Sequence, residues 1–323
     1  MSATGMTDRF SLIRTQHAGH DARRLSDAER ELEAVFLPGL GMVGASLTHR
    51  GEELLGRTEA LERYASAGST VGIPLLHPWG NRLADFAYAV GGRTVELDPA
   101  SPLLHLDGNG LPIHGVLAAS PHWQVVDGRL DEIGVVLAAE LDFGSRPELL
   151  AAFPFPHVLR IEARLGDYGL TIETTLSATG DVGVPVSFAY HPYLRLPGVP
   201  RAEWHVELPV TRRLVLDARM IPTGAAEPFA FPPGPLGDAD LDDGFAELEA
   251  PATFVLAGAG RRVGVTFLEG YPYAQVFAPR DKDFICFEPM TAPTNALRSR
   301  NGLRLVEPGE TFTASFRVEI ATV

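Results

Sequence analysis

His191 closes a run in which Val184, Val186, Phe188 and Tyr190 alternate with other residues and deliver one imidazole just ahead of Pro192. An imidazole changes charge near neutral pH without help from its surroundings, so it suits proton transfer in either direction. Tyr190 and Tyr193 flank it and offer apolar faces of the kind that cover the C–H surface of a sugar. Taken alone, His191 reads equally well as a core-edge histidine bonded to a backbone carbonyl. A second titratable group, Glu288, follows the apolar run Phe284–Ile285–Cys286–Phe287 and precedes Pro289. That order puts a carboxylate at the end of another strand. Partial burial there raises its pKa toward neutrality and makes it a useful base.

Three further places carry polar groups in apolar or turn settings. Asn81 and Arg82 follow an apolar stretch and a turn, where an arginine can present its planar fork to hydroxyls or a carboxylate. His114 sits between apolar residues and ahead of Gly115, which permits a close backbone approach. The stretch Asp238 to Asp243 holds four aspartates before Phe245, as suits sugar hydroxyls, calcium or simply a solvated acidic loop.

The elements that must position these groups read as mostly β. Thirty-three glycines and 26 prolines punctuate short alternating runs. Gly91–Gly92 between two alternating arms is a two-residue hairpin signal, because a type I′ turn needs positive φ at both central residues. Asp127–Gly128, Gly166 to Gly169 and Gly258 to Gly260 read as further turns, and the C-terminal stretch alternates through Phe312, Ala314, Phe316, Val318 and Ile320. Turn signals about every ten residues indicate a sandwich or barrel. Helical signals are few: Ser26 with Glu29 has capping-box spacing, and Glu59 to Ser66 reads as one short helix. Residues 1–30 are polar, carry no strand signal and are expected to form a flexible segment ahead of one domain spanning 31–323. Gly39 to Gly44 matches a GxGxxG pattern. Gly51 follows too soon for the helix that a dinucleotide site needs, so these glycines read as a β-turn.

The net charge of −14 argues against a nucleic-acid or anionic-membrane partner. No apolar run approaches the roughly 20 residues of a membrane span. A single cysteine, Cys286, and no apolar leader lead to the expectation of a cytoplasmic protein.

Taken together and in order, these segments resemble the aldose 1-epimerase (galactose mutarotase) family. The resemblance rests on Pro78 to Arg82 (PWGNR), the Gly91–Gly92 hairpin, His114–Gly115, Tyr190 to Gly198 (YHPYLRLPG), Leu241 to Phe245 (LDDGF) and Phe287 to Leu297 (FEPMTAPTNAL). It implies a large antiparallel β-supersandwich with few short helices. It implies Glu288 as general base on the anomeric hydroxyl, His191 as general acid on the ring oxygen, and His114 as the second histidine near that oxygen. Arg82 and Asp242 are implied to bind hydroxyls, with Asn81 and Gln275 as weaker members of the pocket and Trp79 and Tyr193 as apolar faces. The implied reaction is cofactor-independent interconversion of the α and β anomers of a free hexose, with no metal, in a monomer or homodimer. The expected geometry sets Glu288 and His191 about one sugar ring apart across an open cleft, Glu288 ionised and His191 charged. Tyr190–His191–Pro192 and Asp243 depart from the best-known motif and bear on the identity of the sugar. Three other readings stay open: a hexose-6-phosphate epimerase using Arg195, a non-catalytic carbohydrate-binding protein, and a metal enzyme with His114, His191 and Glu288 as ligands.

Overall fold

A computed structural model describes residues 9–57 and 60–322. Among the described residues its period-two patterning becomes three large antiparallel sheets and three two-stranded ones. The largest has nine strands, in the order Gln124–Asp131, Gly134–Asp142, His157–Gly166, Gly169–Ala178, Thr311–Thr322, Arg261–Glu269, Ala252–Gly258, His205–Glu207 and Gly234–Pro235. The second runs Pro222–Pro228, Arg212–Leu216, Leu241–Ala246, Tyr273–Ala278, Ile285–Met290, Ala189–Tyr190 and Leu75–Leu76, with Tyr193–Leu194 also paired to Ile285–Met290. These two sheets bury their facing sides against each other. Phe287 stacks on Phe254 at 5.3 Å, Tyr190 lies 5.0 Å from Phe316, and the Tyr190 hydroxyl meets Thr174 Oγ1 at 2.7 Å. Because side chains alternate along a strand, burying Ile285, Phe287, Tyr190 and Val276 in this core turns Glu288, His191 and Gln275 to the other face. Three short helices, Leu61–Ala67, Pro147–Ala152 and Ala296–Ser299, occur among the described residues. The first lies where the short helix was expected.

Two expectations fail. Of the supposed flexible segment, residues 1–8 lie outside the described residues and most of the rest is strand: Phe10–His17 and His20–Asp27 open a third, five-stranded sheet with Leu32–Leu37, Val43–His49 and Glu52–Glu53. Its buried side needs only Phe10, Ala22 and Leu25 from this hairpin, and the buried Asp27 is paired with Arg9 at 2.9 Å, so the sequence reads as polar. The same strands replace the capping-box helix. Asp127–Gly128 is not a turn but lies within Gln124–Asp131 beside a bulge between Val125 and Asp127, and the chain reverses later, between Asp131 and Gly134. The Gly91–Gly92 hairpin forms as expected, with φ of 55° and 73°.

A buried imidazole pair sits in this core. His77 and His157 approach Nε2 to Nε2 at 2.9 Å among Phe143, Phe153 and Phe188. His157 Nδ1 donates to the carbonyl of Phe155 at 2.6 Å, so its Nε2 must accept from His77. Burial holds His77 well below 6.5 and pushes His157 down to about 4. The unfolded chain therefore takes up protons below about 6.5 that the native state refuses. The pair's contribution is complete above that pH and is lost as pH falls toward 4, at up to about 1.4 kcal/mol per pH unit for each histidine. Urea unfolding at pH 7.5 and pH 5 is expected to show this loss, and a His77→Phe variant to show a shallower one. Equal pH slopes in the two proteins would remove the pair as its source.

Candidate active site

Strand register brings the two proton-transfer candidates together. Ala189 pairs with Met290, and Tyr193 pairs with Cys286. Two residues inward from either pair, His191 stands opposite Glu288. The ladder lapses between Tyr190 and Tyr193, where Pro192 has no N–H to give, and Pro289 lies opposite the same break. Glu288, expected at a strand end, therefore sits within Ile285–Met290: Pro289 keeps its register partner Ala274 on one side, and on the side of Ala189–Tyr190 the ladder has already lapsed. His191 Nε2 lies 3.3 Å from Glu288 Oε1 and both residues are buried, at 4% and 2% exposure. The one-ring separation expected between them is therefore incorrect. They are neighbours on one sheet face, as a direct cross-strand pair must be.

The same face supplies the rest of the floor. Glu288 pairs in register with Gln275, and Gln275 with Gly244. One rung along, Asp242, Phe277, Cys286 and Tyr193 form a second row. Gln275 Nε2 donates to Asp242 Oδ1 at 2.6 Å, although Gln275 itself stays beneath the cleft surface. Asp243, one residue on, points the other way and meets Arg213 at 3.5 Å.

His114 and Arg82 arrive on a separate layer. The segment from His77 to Arg82 is pinned to Ile113–Val116 by His114 N–H to Asn81 O at 2.9 Å and by Val116 N–H to His77 O at 2.8 Å. Gly115 permits this contact, for a Cβ there would lie 2.1 Å from the His77 carbonyl oxygen and its φ is +72°. His114 thereby sits 5.4 Å from His191, ring to ring. Arg82 donates through Nε to Asp107 Oδ2 at 2.6 Å and through Nη1 to Asn81 Oδ1 at 3.0 Å, while its Nη2 lies 3.9 Å from Asp242 Oδ2. Asp107 is held in turn by the N–H groups of Asn109 and Leu111. Glu288, His191, His114, Arg82, Asn81 and Asp242 all line one cleft of about 670 Å³.

Burial sets the electrostatics. It raises Glu288 well above the usual carboxylate range, with Asp242 adding to the effect, and lowers His191 well below 6.5, helped by His114 and Arg57. Both groups are thus biased toward their neutral forms. Burial works against the ionised Glu288 and charged His191 expected for the resting protein. His114 is pushed down to about 3 by burial and by Arg82, so it is a neutral ring with one donor and one acceptor. Burial pushes Asp242 up against the pull of Arg82 and Gln275. Asp107 moves the other way: burial opposes its ionisation, but the Leu111 N–H and Arg82 hold it low.

Trp79 does not supply a face for the sugar. It is 1% exposed, packed in the core and away from the cleft. Tyr193 lines the cleft but stacks on His191 at 4.3 Å and 11°, and its hydroxyl meets Thr70 Oγ1 at 2.7 Å and His191 Nε2 at 3.4 Å. Sequence reasoning passed over Asp107, Thr70 and Arg57. Asp107 opens the turn Asp107–Gly108–Asn109–Gly110, whose turn chemistry was a signal that went unused. Thr70 and Arg57 had no local signal. Among the described residues, no three His, Cys, Asp or Glu side chains gather as a metal-binding group, and no helix is long and apolar enough to cross a membrane.

These features define a large antiparallel β-sandwich with an imidazole–carboxyl pair at the floor of a polar cleft. The chain belongs to the aldose 1-epimerase family, whose model matches residues 36–319. It is 23% identical over 262 residues to YihR, an uncharacterized protein of Escherichia coli K12, covering 76% of this chain and 80% of that one. The fold is similar to that of a galactose mutarotase-like protein from Clostridium acetobutylicum, with a TM-score of 0.85, 19% identity and coverage of 98% and 100%. It is also similar to a galactose 1-epimerase from Lactobacillus acidophilus, with a TM-score of 0.75, 15% identity and coverage of 97% and 98%.

Proposed function

We propose that this protein is a cofactor-independent aldose 1-epimerase. The observation that carries the proposal is the buried His191–Glu288 contact of 3.3 Å at the floor of a cleft rimmed by hydroxyl-binding groups. Opening an aldose ring takes one proton from O1 and puts one on O5. Both oxygens are bonded to C1, so the two catalytic groups belong side by side rather than a ring's width apart. Glu288 accepts from O1, and His191 donates to O5 as the C1–O5 bond breaks. Rotation about C1–C2 exposes the other carbonyl face, and the same two groups run in reverse.

The neutral resting pair reaches its working form by one internal transfer, from the Glu288 carboxyl to His191 Nε2. Sugar hydroxyls favour that transfer by hydrogen-bonding the carboxylate, and the charge of Arg82 favours it through space. His114, neutral beside His191, offers its N–H to the alkoxide forming at O5. Arg82, Asp242 and Asn81 hold the remaining hydroxyls, and Gln275 holds Asp242.

The pair works with one proton. Burial lowers the pH at which a second proton enters and raises the pH at which the shared one leaves. The rate profile is therefore expected to be a bell with a broad flat top spanning neutrality. Polarimetry of freshly dissolved α-glucose and α-galactose across pH tests both points. No acceleration of any aldose removes the reading, and a single narrow optimum contradicts the opposed shifts.

A further inference from the structure

A histidine that moves protons is usually oriented by a hydrogen bond at its second ring nitrogen, which fixes the ring plane and the tautomer. His191 lacks that bond: its Nδ1 is buried, and among the described residues no group partners it. Glu288 holds Nε2 at 3.3 Å, but that contact has to open when O1 and O5 of a sugar take its place. Orientation of the imidazole is therefore left to packing. His114 and Phe277 meet it at near right angles, with centroids 5.4 and 6.0 Å away. The ring that lies flat on it is Tyr193, at 4.3 Å and 11°.

Tyr193 is itself held at several points. Its N–H donates to Gly72 O at 2.9 Å, and its carbonyl accepts from the Gly56 N–H at 3.0 Å. Gly56 lets the chain come this close, for a Cβ there would lie 3.0 Å from Phe284 Cβ and 3.7 Å from Tyr193 Cβ. The Tyr193 hydroxyl meets Thr70 Oγ1 at 2.7 Å, Phe284 packs at 4.9 Å and 79°, and the Arg57 guanidinium lies 5.2 Å over the ring. Arg57 in turn donates to Ser69 Oγ at 3.0 Å. Because the two rings are nearly parallel, the hydroxyl reaches His191 Nε2 from above the imidazole plane, at 3.4 Å. A ring nitrogen gives and takes its proton within that plane, so the contact leaves the working direction free. Burial raises the Tyr193 phenol above its ordinary value, so the hydroxyl keeps its own proton.

We propose that Tyr193 is the positioning residue of His191: its stacked ring, clamped by Thr70, Arg57 and Phe284, does the orienting that a hydrogen bond at Nδ1 does elsewhere, and aims Nε2 at the ring oxygen. Leaving Nδ1 without an acceptor also avoids strengthening the imidazole as a base, as suits a group that must give its proton away. The inference rests on the reading of His191 as the acid of an aldose 1-epimerase and adds a residue that moves no proton.

Polarimetry of α-glucose and α-galactose with Tyr193 variants tests it. Tyr193→Leu and Tyr193→Met each remove the flat ring while filling much of its volume, so one serves where the other does not fold. Each is expected to lower kcat by about 10- to 100-fold with KM changed less than about threefold, because a misaimed donor slows turnover rather than binding. Tyr193→Phe keeps the ring, loses the bond to Thr70, and is expected to recover all but about threefold of the parent's kcat. In a His191→Asn background, Tyr193→Leu is expected to slow the reaction by no more than about a further threefold, since its effect runs through the imidazole. Melting temperatures of all variants report on folding.

Equal losses in the Phe and Leu variants would assign the effect to the hydroxyl and overturn the inference. The same fold loss with and without His191 would also overturn it, as would a Leu or Met variant that turns over like the parent or the failure of both to fold. Each of those outcomes leaves the epimerase reading standing. A parent protein that accelerates no aldose overturns both.

Discussion

Replacing Glu288 by glutamine is expected to lower kcat for mutarotation by about 10²–10⁴, the usual worth of one positioned proton-transfer group. Glutamine keeps the shape and can still hydrogen-bond a sugar hydroxyl, but it cannot take a proton from O1. The substitution should leave the fold intact. Glu288 is buried and already biased toward its neutral form, so an amide removes a group that burial penalises. The expected pattern is therefore a large fall in kcat, a small change in KM and a melting temperature equal to or above that of the parent. Normal turnover in a folded Glu288→Gln protein would sink its assignment as base. A fall in melting temperature of ten degrees or more would show that the carboxyl serves the fold instead.

The second large effect is at His191, where asparagine is expected to cost a similar factor. Its added signature is non-additivity. With one proton shared over 3.3 Å, loss of either partner stops the internal transfer on which both half-reactions depend. The Glu288→Gln/His191→Asn double variant should therefore be no more than about tenfold slower than the slower single one, as for catalytic groups that act as a unit. Losses that multiply would mean that the two side chains work independently, and the contact would then be incidental. Single-turnover polarimetry at one pH on the plateau suffices to measure all three variants.

Part of this fold was legible because it depends on local rules. The Gly91–Gly92 turn, the Gly166 to Gly169 hairpin and the alternation of the C-terminal strand are set by backbone φ and by period-two patterning, and all three appear where expected. The short helix at Leu61–Ala67 follows in the same way. Phe10–His17 and His20–Asp27 were missed because a sheet that buries only three apolar side chains from a hairpin leaves almost no periodic signal. Asp127–Gly128 misled because a turn dipeptide is also tolerated beside a bulge, and the competing reversal after Asp131 won.

The candidate site divides along the same line. The sequence by itself determined the chemical types present and their order: an imidazole before Pro192, a carboxyl before Pro289, an arginine after Asn81, a histidine before Gly115 and an aspartate after Leu241. It also determined that Glu288 and Phe287 face opposite ways, because alternation needs no partner strand. Only the tertiary structure decided how close those groups come, since register between strands 97 residues apart depends on long-range pairing that no local pattern encodes. That pairing turned an expected gap of one ring into a 3.3 Å contact, and the depth of burial biases both groups toward their neutral forms, against the expected charged pair. The tertiary structure also moved Trp79 into the core, joined Asp107 to Arg82, and laid Tyr193 flat on His191. Charge and proximity of this kind are properties of packing, where chain segments far apart in sequence exclude the same water.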